Sequence, residues 1–167
     1  MKQKSSSWLI RPATSKDHEA IWRIIRSVIK TGDTYVFTPN ASKEKMLEYW
    51  CGPDAYTYVA LIDDTIKGTF VLRDNKPDLG SHIGNGSYMV DPAAHGLGIG
   101  RRMGEHSIAE AKRLGYHAIQ FNYVVKTNQP AVNLWLSLGF EIVGEVPEAF
   151  NHSQLGYTNV YVMYRKL

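Results

Sequence analysis

The apolar positions of this chain change period several times, and each change marks an element. Residues 8–11 form a short apolar run closed by Pro12. Proline cannot donate to a sheet ladder, so the run predicts a strand that stops there. Ile21, Ile24, Ile25, Val28 and Ile29 then recur at helical spacing. They predict an amphipathic helix, with Thr14 or Ser15 at its start and Gly32 beyond its end. A loop over 33–40 carries Tyr35, Phe37 and Pro39, after which Ser42 opens a second helix over 43–50, stopped by Gly52-Pro53. Two alternating stretches, 56–62 and 65–73, flank Asp63-Asp64 and read as a β-hairpin. A loop over 74–81 leads to a strand over 82–90, which contains Gly84 and Gly86. Glycine inside a strand marks a bulge or a close backbone approach.

The second half repeats the alternation of strand and helix. Met103, Ile108, Ala111 and Leu114 share one side of a helix that Gly115 ends. A strand follows over 117–125. A whole helix separates it from the strand before, so the two should run parallel, joined by a right-handed crossover. Asn128 caps a further helix through residue 138, and Gly139 ends it. Residues 140–146 read as a strand, 147–157 as a loop and 159–165 as a last strand. Residues 1–7 are polar and read as a tail, which leaves 8–167 as a single domain.

Composition narrows the function. The chain has 167 residues, 44% of them hydrophobic, which suits one globular core. The net charge of +3 suits an anionic ligand, but no concentrated basic patch points to nucleic acid. A lone cysteine, Cys51, rules out an internal disulfide and fits a reducing cytosol, so a cytoplasmic protein is expected. No apolar run is long enough to span a membrane, and residues 1–7 lack a signal-peptide core. The six histidines are scattered without metal-ligand spacing, so no metal is expected. Ser107 and Ser137 have no base paired to them in sequence, which leaves a hydrolase with little support.

The stretch from Tyr88 to Gly104 carries the chemistry. A strand ends at Asp91-Pro92, and Gly96, Gly98 and Gly100 precede a helix that begins with Arg101-Arg102. Glycine lets the backbone approach a ligand, and a helix N-terminus offers unpaired N–H groups and partial positive charge. The pattern is that of a phosphate site. It lacks the Gly-Lys-Ser/Thr ending of a nucleotide P-loop. It also lacks the dinucleotide spacing, and the strand Ile119-Gln120-Phe121-Asn122-Tyr123 has no acid.

Two motifs resemble the GNAT superfamily of N-acetyltransferases. Val90-Asp91-Pro92 followed by His95-Gly96-Leu97-Gly98-Ile99-Gly100 is similar to its cofactor turn, with His95 where Gln or Arg is usual. Asn128-Gln129-Pro130-Ala131-Val132-Asn133-Leu134-Trp135, ending in Gly139-Phe140, is similar to its second motif, with Trp135 where Tyr is usual. The resemblance covers nearly the whole chain. It implies an α/β (α+β) GNAT-like fold in the order β-α-α-β-β-β-α-β-α-β-β. Its central mixed sheet would be mostly antiparallel, with one splayed parallel strand pair.

The resemblance also implies acetyl-CoA as acyl donor, without a metal. Its contacts would come from Met89 and Val90, from His95, Gly96, Leu97, Gly98, Ile99, Gly100 and Arg101, and from Asn128, Asn133 and Trp135. Val90 N–H would polarise the thioester carbonyl. The family's usual strand carboxylate is missing between 82–90 and 117–125. That leaves the base open: Tyr123, Asn122 or His82 could order a water that takes the amine proton, and Glu148 or His152 could reach in from the 147–157 loop. The Trp135 indole cannot act as an acid, so water, Tyr123 or Tyr157 would protonate the thiolate. Tyr35, Phe37, Tyr123, Phe150 and Tyr157 are expected to line the acceptor pocket and suit a small-molecule or amino-acid-like primary amine. The loop aromatics Tyr35 and Phe37 would serve equally to cover the core edge. The competing readings are a catalytically inactive acetyl-CoA-binding module and a protein N-terminal or lysine acetyltransferase. A homodimer is compatible with all of them.

Overall fold

The computed structural model describes residues 7–167. Residues 1–6, most of the expected tail, lie outside them. Ser7 is tied down, because its N–H donates to Asp63 Oδ1 at 2.9 Å. The strands are β1 (Trp8–Pro12), β2 (Tyr56–Ile62), β3 (Thr65–Asp74), β4 (Ile83–Val90), β5 (Ala118–Val125), β6 (Glu141–His152) and β7 (Gly156–Lys166). The helices are α1 (His18–Ile29), α2 (Lys43–Cys51), α3 (Ile99–Arg113) and α4 (Gln129–Ser137). All seven strands join one sheet in the order β1-β2-β3-β4-β5-β7-β6. Only β4 and β5 are parallel neighbours. The architecture is the mixed GNAT-like fold that the motifs imply.

Helices cover both faces of the sheet. Ile21, Ile24, Ile25 and Ile29 of α1 are at most 1% exposed and pack with Met46 and Trp50 of α2 against Val59, Val71 and Met89. This is the stripe that helical spacing predicts. On the other face, Ile99, Met103 and Ile108 of α3 and Val132 and Trp135 of α4 meet Phe70, Ile119 and Phe121. Trp50 Nε1–H donates to Thr69 Oγ1, which in turn donates to the Tyr58 carbonyl, so the buried indole and hydroxyl are both satisfied.

The start of α1 is fixed by charge. Thr14 caps a short 3₁₀ turn, Ser15–Asp17, that runs into the helix. Buried Asp17 accepts from Thr14 N–H at 2.7 Å and from both Arg11 guanidinium arms. The hydrogen bonds from Arg11 hold the Asp17 carboxyl well below the usual carboxylate range. A group whose folded pKa is depressed stabilises above its unfolded pKa of about 3.9 and loses that contribution as pH falls. Asp17→Asn is therefore expected to cost about 2 kcal/mol at pH 7 and progressively less as pH falls below 4. Thermal melts of both proteins across pH check this; a cost that does not shrink in acid would disprove the linkage.

One boundary is corrected. Residues 147–157 are not a loop: β6 runs on through His152, β7 begins at Gly156, and only 153–155 turn. Pro147 and Glu148 sit in a bulge, where the β6–β7 register shifts between Val146 and Phe150. Glu148 has φ of +53° and its N–H donates to Asn159 Oδ1 at 3.0 Å. An edge strand tolerates a proline because one side of its ladder is unpaired. Among the described residues no helix is long and apolar enough to cross a membrane.

Candidate active site

The site begins where β4 and β5 separate. Their parallel ladder holds only at Ile83/Ala118 and Gly84/Ile119. Beyond it the backbone direction of β4 can be read from its bonds to β3. Asn75 N–H donates to the Ile83 carbonyl and Asp91 N–H to the Lys67 carbonyl, each at 2.8 Å. Backbone groups alternate sides along an antiparallel strand. Hence Asn85, Ser87 and Met89 bond toward β3, while Gly86, Tyr88 and Val90 face the opening toward β5.

This corrects one expectation. Met89 cannot offer its backbone to a ligand in the opening, and its side chain is buried on the α1–α2 face. Tyr88 faces the opening instead, together with Val90. Both groups of Tyr88 are already engaged. Tyr88 N–H donates to the Tyr35 hydroxyl at 3.0 Å, and the same hydroxyl donates to the Tyr88 carbonyl.

The glycine turn lies at the end of β4. Asp91 opens a short 3₁₀ turn, Pro92–Ala94, and His95, Gly96, Leu97 and Gly98 are exposed. Gly96 and Gly98 have φ of +83° and +78°, a conformation for which glycine is the low-strain residue. The first bond that closes α3 is Arg102 N–H to the Gly98 carbonyl. No backbone acceptor among the described residues meets the amides of 96–101. A Cβ at Gly96 or Gly98 would meet nothing within 4 Å. The turn is open rather than crowded, with a row of bare N–H groups at a helix start.

Ile99 anchors this turn by its buried side chain, so among the turn residues it acts as a fastener. Gly100 closes on Leu134 of α4, 3.4 Å from where its Cβ would be. Arg101 does not turn its guanidinium into the turn: Nη2 donates to Ser137 Oγ at 2.7 Å and Nη1 meets Glu105 at 3.4 Å. The neighbouring Arg102 stacks 4.3 Å over the Trp8 ring. The bare amides at the helix start carry partial positive charge of their own.

On α4 the expectations divide. Asn128 Oδ1 caps the helix by accepting from Ala131 N–H, and Asn133 is exposed. Trp135 is a core residue, 6% exposed, with its ring 4.6 Å from both Tyr88 and Phe121. The Tyr-to-Trp change in the motif is thus absorbed by packing beneath the opening.

The acceptor-side aromatics form two groups. Tyr35 and Phe37 stack at 6.5 Å, with Tyr49 edge-on to Phe37. Tyr123 meets Phe150 at 6.4 Å and its hydroxyl donates to the Ala149 carbonyl. Burial raises the Tyr123 pKa. Phe150 is 5% exposed in a small core with Val125 and Val160, so it supports Tyr123 rather than lining open space. Tyr157 stands alone, largely exposed. The two framing segments are latched: Ser153 N–H donates to the Gly32 carbonyl at 3.0 Å, and Ser153 Oγ to the Thr31 carbonyl at 2.8 Å. Nothing local in the sequence announces that latch.

Three amide side chains are joined in a hydrogen-bonded row. Gln120 Nε2 donates to Asn122 Oδ1, and Asn122 Nδ2 to Asn75 Oδ1 at 2.6 Å. Asn122 and Tyr123 sit where the β5–β7 register shifts, a bulge of the kind that re-aims side chains. Half-buried Arg73 rests 4.3 Å over Tyr49 and donates to its carbonyl. It has no carboxylate partner among the described residues.

The proton-acceptor candidates are also reordered. His82 lies at the paired end of β4, where its carbonyl accepts from His117 N–H. Six residues of strand, about 20 Å, separate it from Tyr88. His152 Nδ1 accepts from the amides of Gln154 and Leu155, so that lone pair is spent on the β6–β7 turn.

A mixed sheet parted between two parallel strands, with a bare-amide turn at the mouth of the gap, defines an N-acetyltransferase architecture. The sequence model of the acetyltransferase (GNAT) family matches residues 22–140, and the chain belongs to this family. The N-acetyltransferase aca1 of Schizosaccharomyces pombe is 32% identical over 111 residues, 66% of this chain and 53% of that protein. The chain thus spans about half the length of that curated relative. A GCN5-related N-acetyltransferase from Kribbella flavida is 41% identical in sequence and superimposes with a TM-score of 0.91 over 96% of this chain and 98% of its own. The Salmonella typhimurium protein yncA, solved with its cofactor acetyl-CoA, shares the fold at a TM-score of 0.85 and 22% identity, over 97% and 95% of the two chains.

Proposed function

We propose that the protein transfers an acetyl group from acetyl-CoA to the primary amine of a small, amino-acid-like molecule, by direct attack in a ternary complex. The observation that carries this reading is the row of unbonded amides at 96–101 beside the parted strands. Those amides suit a pyrophosphate, and the slot-facing backbone of β4 suits an amide-bearing arm. The acetyl-CoA in the yncA structure supports the same donor. The acceptor amine attacks the thioester carbon, a C–N bond forms, and the C–S bond breaks. The amine proton leaves to water, and the thiolate carries away the electron pair. Val90 N–H, directed into the slot, would stabilise the charge that develops on the carbonyl oxygen.

Arg73 and the Gln120–Asn122–Asn75 amide chain favour an acceptor that carries a carboxylate. Arg73 has no acid partner among the described residues, and beyond the bond that Nη2 gives to the Tyr49 carbonyl it keeps donors that suit a carboxylate. The lone Cys51 accords with a reducing, cytoplasmic setting. Edge strand β6 exposes Ile142, Val143 and Val146, a surface suited to a second copy of the chain.

The test is acetyl-CoA turnover with a panel of amines and amino acids, read as free thiol across pH. With His82 remote and His152 Nδ1 occupied, kcat/KM should climb steadily toward the acceptor's own pKa, with no bend near about 6.5, the ordinary histidine value. A bend there that vanishes in His152→Ala, with a large loss of rate, would assign the proton to that histidine. Tight acetyl-CoA binding without turnover on any amine would favour the inactive binding module.

A further inference from the structure

Tyr35 occupies a position that its own loop does not explain. It belongs to the segment between α1 and α2, yet its hydroxyl reaches the backbone of β4. The groups it meets are the N–H and C=O of Tyr88. These point into the gap between β4 and β5, where no ladder bond is available to either strand. Buried backbone groups must find partners, and one phenol serves both. It accepts from the N–H and donates to the C=O, as a peptide group of a neighbouring strand would. The ring is held by Phe37 and, through it, Tyr49. Burial keeps the phenol protonated at every physiological pH.

We propose that Tyr35 is a positioning residue, a placeholder for the acyl donor in the β4–β5 slot. The proposal rests on the acetyl-CoA reading above. In the free protein the phenol satisfies Tyr88 and keeps the slot from closing. When acetyl-CoA enters, its amide arm takes over the Tyr88 groups, and Tyr35 withdraws together with the 33–40 loop. That loop also frames the acceptor pocket, latched to the β6–β7 turn through Ser153. Donor entry and the shape of the acceptor pocket are therefore coupled through one hydroxyl.

The exchange makes a prediction that a merely structural tyrosine would not. Donor binding has to break the two Tyr35 bonds, so removing the hydroxyl removes a competitor. Tyr35→Phe should lower the acetyl-CoA dissociation constant threefold or more, while the variant melts somewhat lower than wild type. Calorimetric titration of both proteins with acetyl-CoA reads this. In wild type, saturating acetyl-CoA should also speed amide hydrogen exchange across 33–40, a measurement that needs no variant. Unchanged or weaker binding by folded Tyr35→Phe, or exchange in 33–40 that stays the same or slows, would overturn the placeholder role while leaving acetyl-CoA as donor. Failure of wild type to bind acetyl-CoA would overturn both.

Discussion

Gly98→Val is expected to weaken acetyl-CoA binding about a hundredfold, or about 2.7 kcal/mol, while the protein stays folded. Gly98 has φ of +78° and forms the N-cap of α3. A β-branched residue is strongly disfavoured in that conformation, at a cost of about 1–2 kcal/mol. The variant either bears the strain or rotates the peptide, which swings the amide out of the row. A lost hydrogen bond to a charged phosphate adds about 1.5–3 kcal/mol. The two valine methyls would also occupy the space left open beside the turn. No protein atom lies within 4 Å of the added Cβ, so the fold has room and the melting temperature should fall by only a few degrees. Calorimetry with acetyl-CoA, beside a thermal melt, checks both halves. Unchanged affinity in a folded variant would remove the glycine turn from the donor site.

Trp135→Ala is expected to act through stability, with a cost of about 3–5 kcal/mol. The indole fills the space between α3, α4 and the sheet, against Tyr88, Phe121 and Phe140. Its ring also packs on Gly104 of α3, 3.1 Å from where that residue's Cβ would be. Removing it leaves a cavity beneath the slot and lowers the melting temperature by about 10 °C or more. Trp135→Phe should recover most of that loss. The measurement is thermal or denaturant unfolding of the three proteins. Near-wild-type stability of Trp135→Ala, combined with a selective loss of acetyl-CoA binding, would show that the side chain serves the ligand rather than the core.

The two cases show which features of the site could be read early. The glycine turn follows from local rules. A strand stops at Asp91-Pro92, positive φ needs glycine, and a helix start leaves its amides bare. The surroundings of Trp135 depend on residues from four separate segments, so the motif, which implies a cofactor contact at this position, carries no sign that the ring lies in the core. Arg101 shows the same limit. Its place beside the turn is local, but Ser137, which draws its guanidinium away, lies on another helix.

The sequence by itself determined the element order, the α1 stripe, the Asn128 cap and the glycine turn, because each rests on side chains within a few residues of one another. It misjudged the end of β6, since Pro147 is a local stop signal. Pairing with β7 and the Asn159 bond to Glu148 override it. Only the tertiary structure decided which β4 amides face the slot, since that depends on register with β3. Only it brought Tyr35 to Tyr88, across 53 residues, and Ser153 to Gly32. Such contacts form between surfaces that are adjacent only after the sheet and its two helical layers have packed. No period or motif along the chain encodes them.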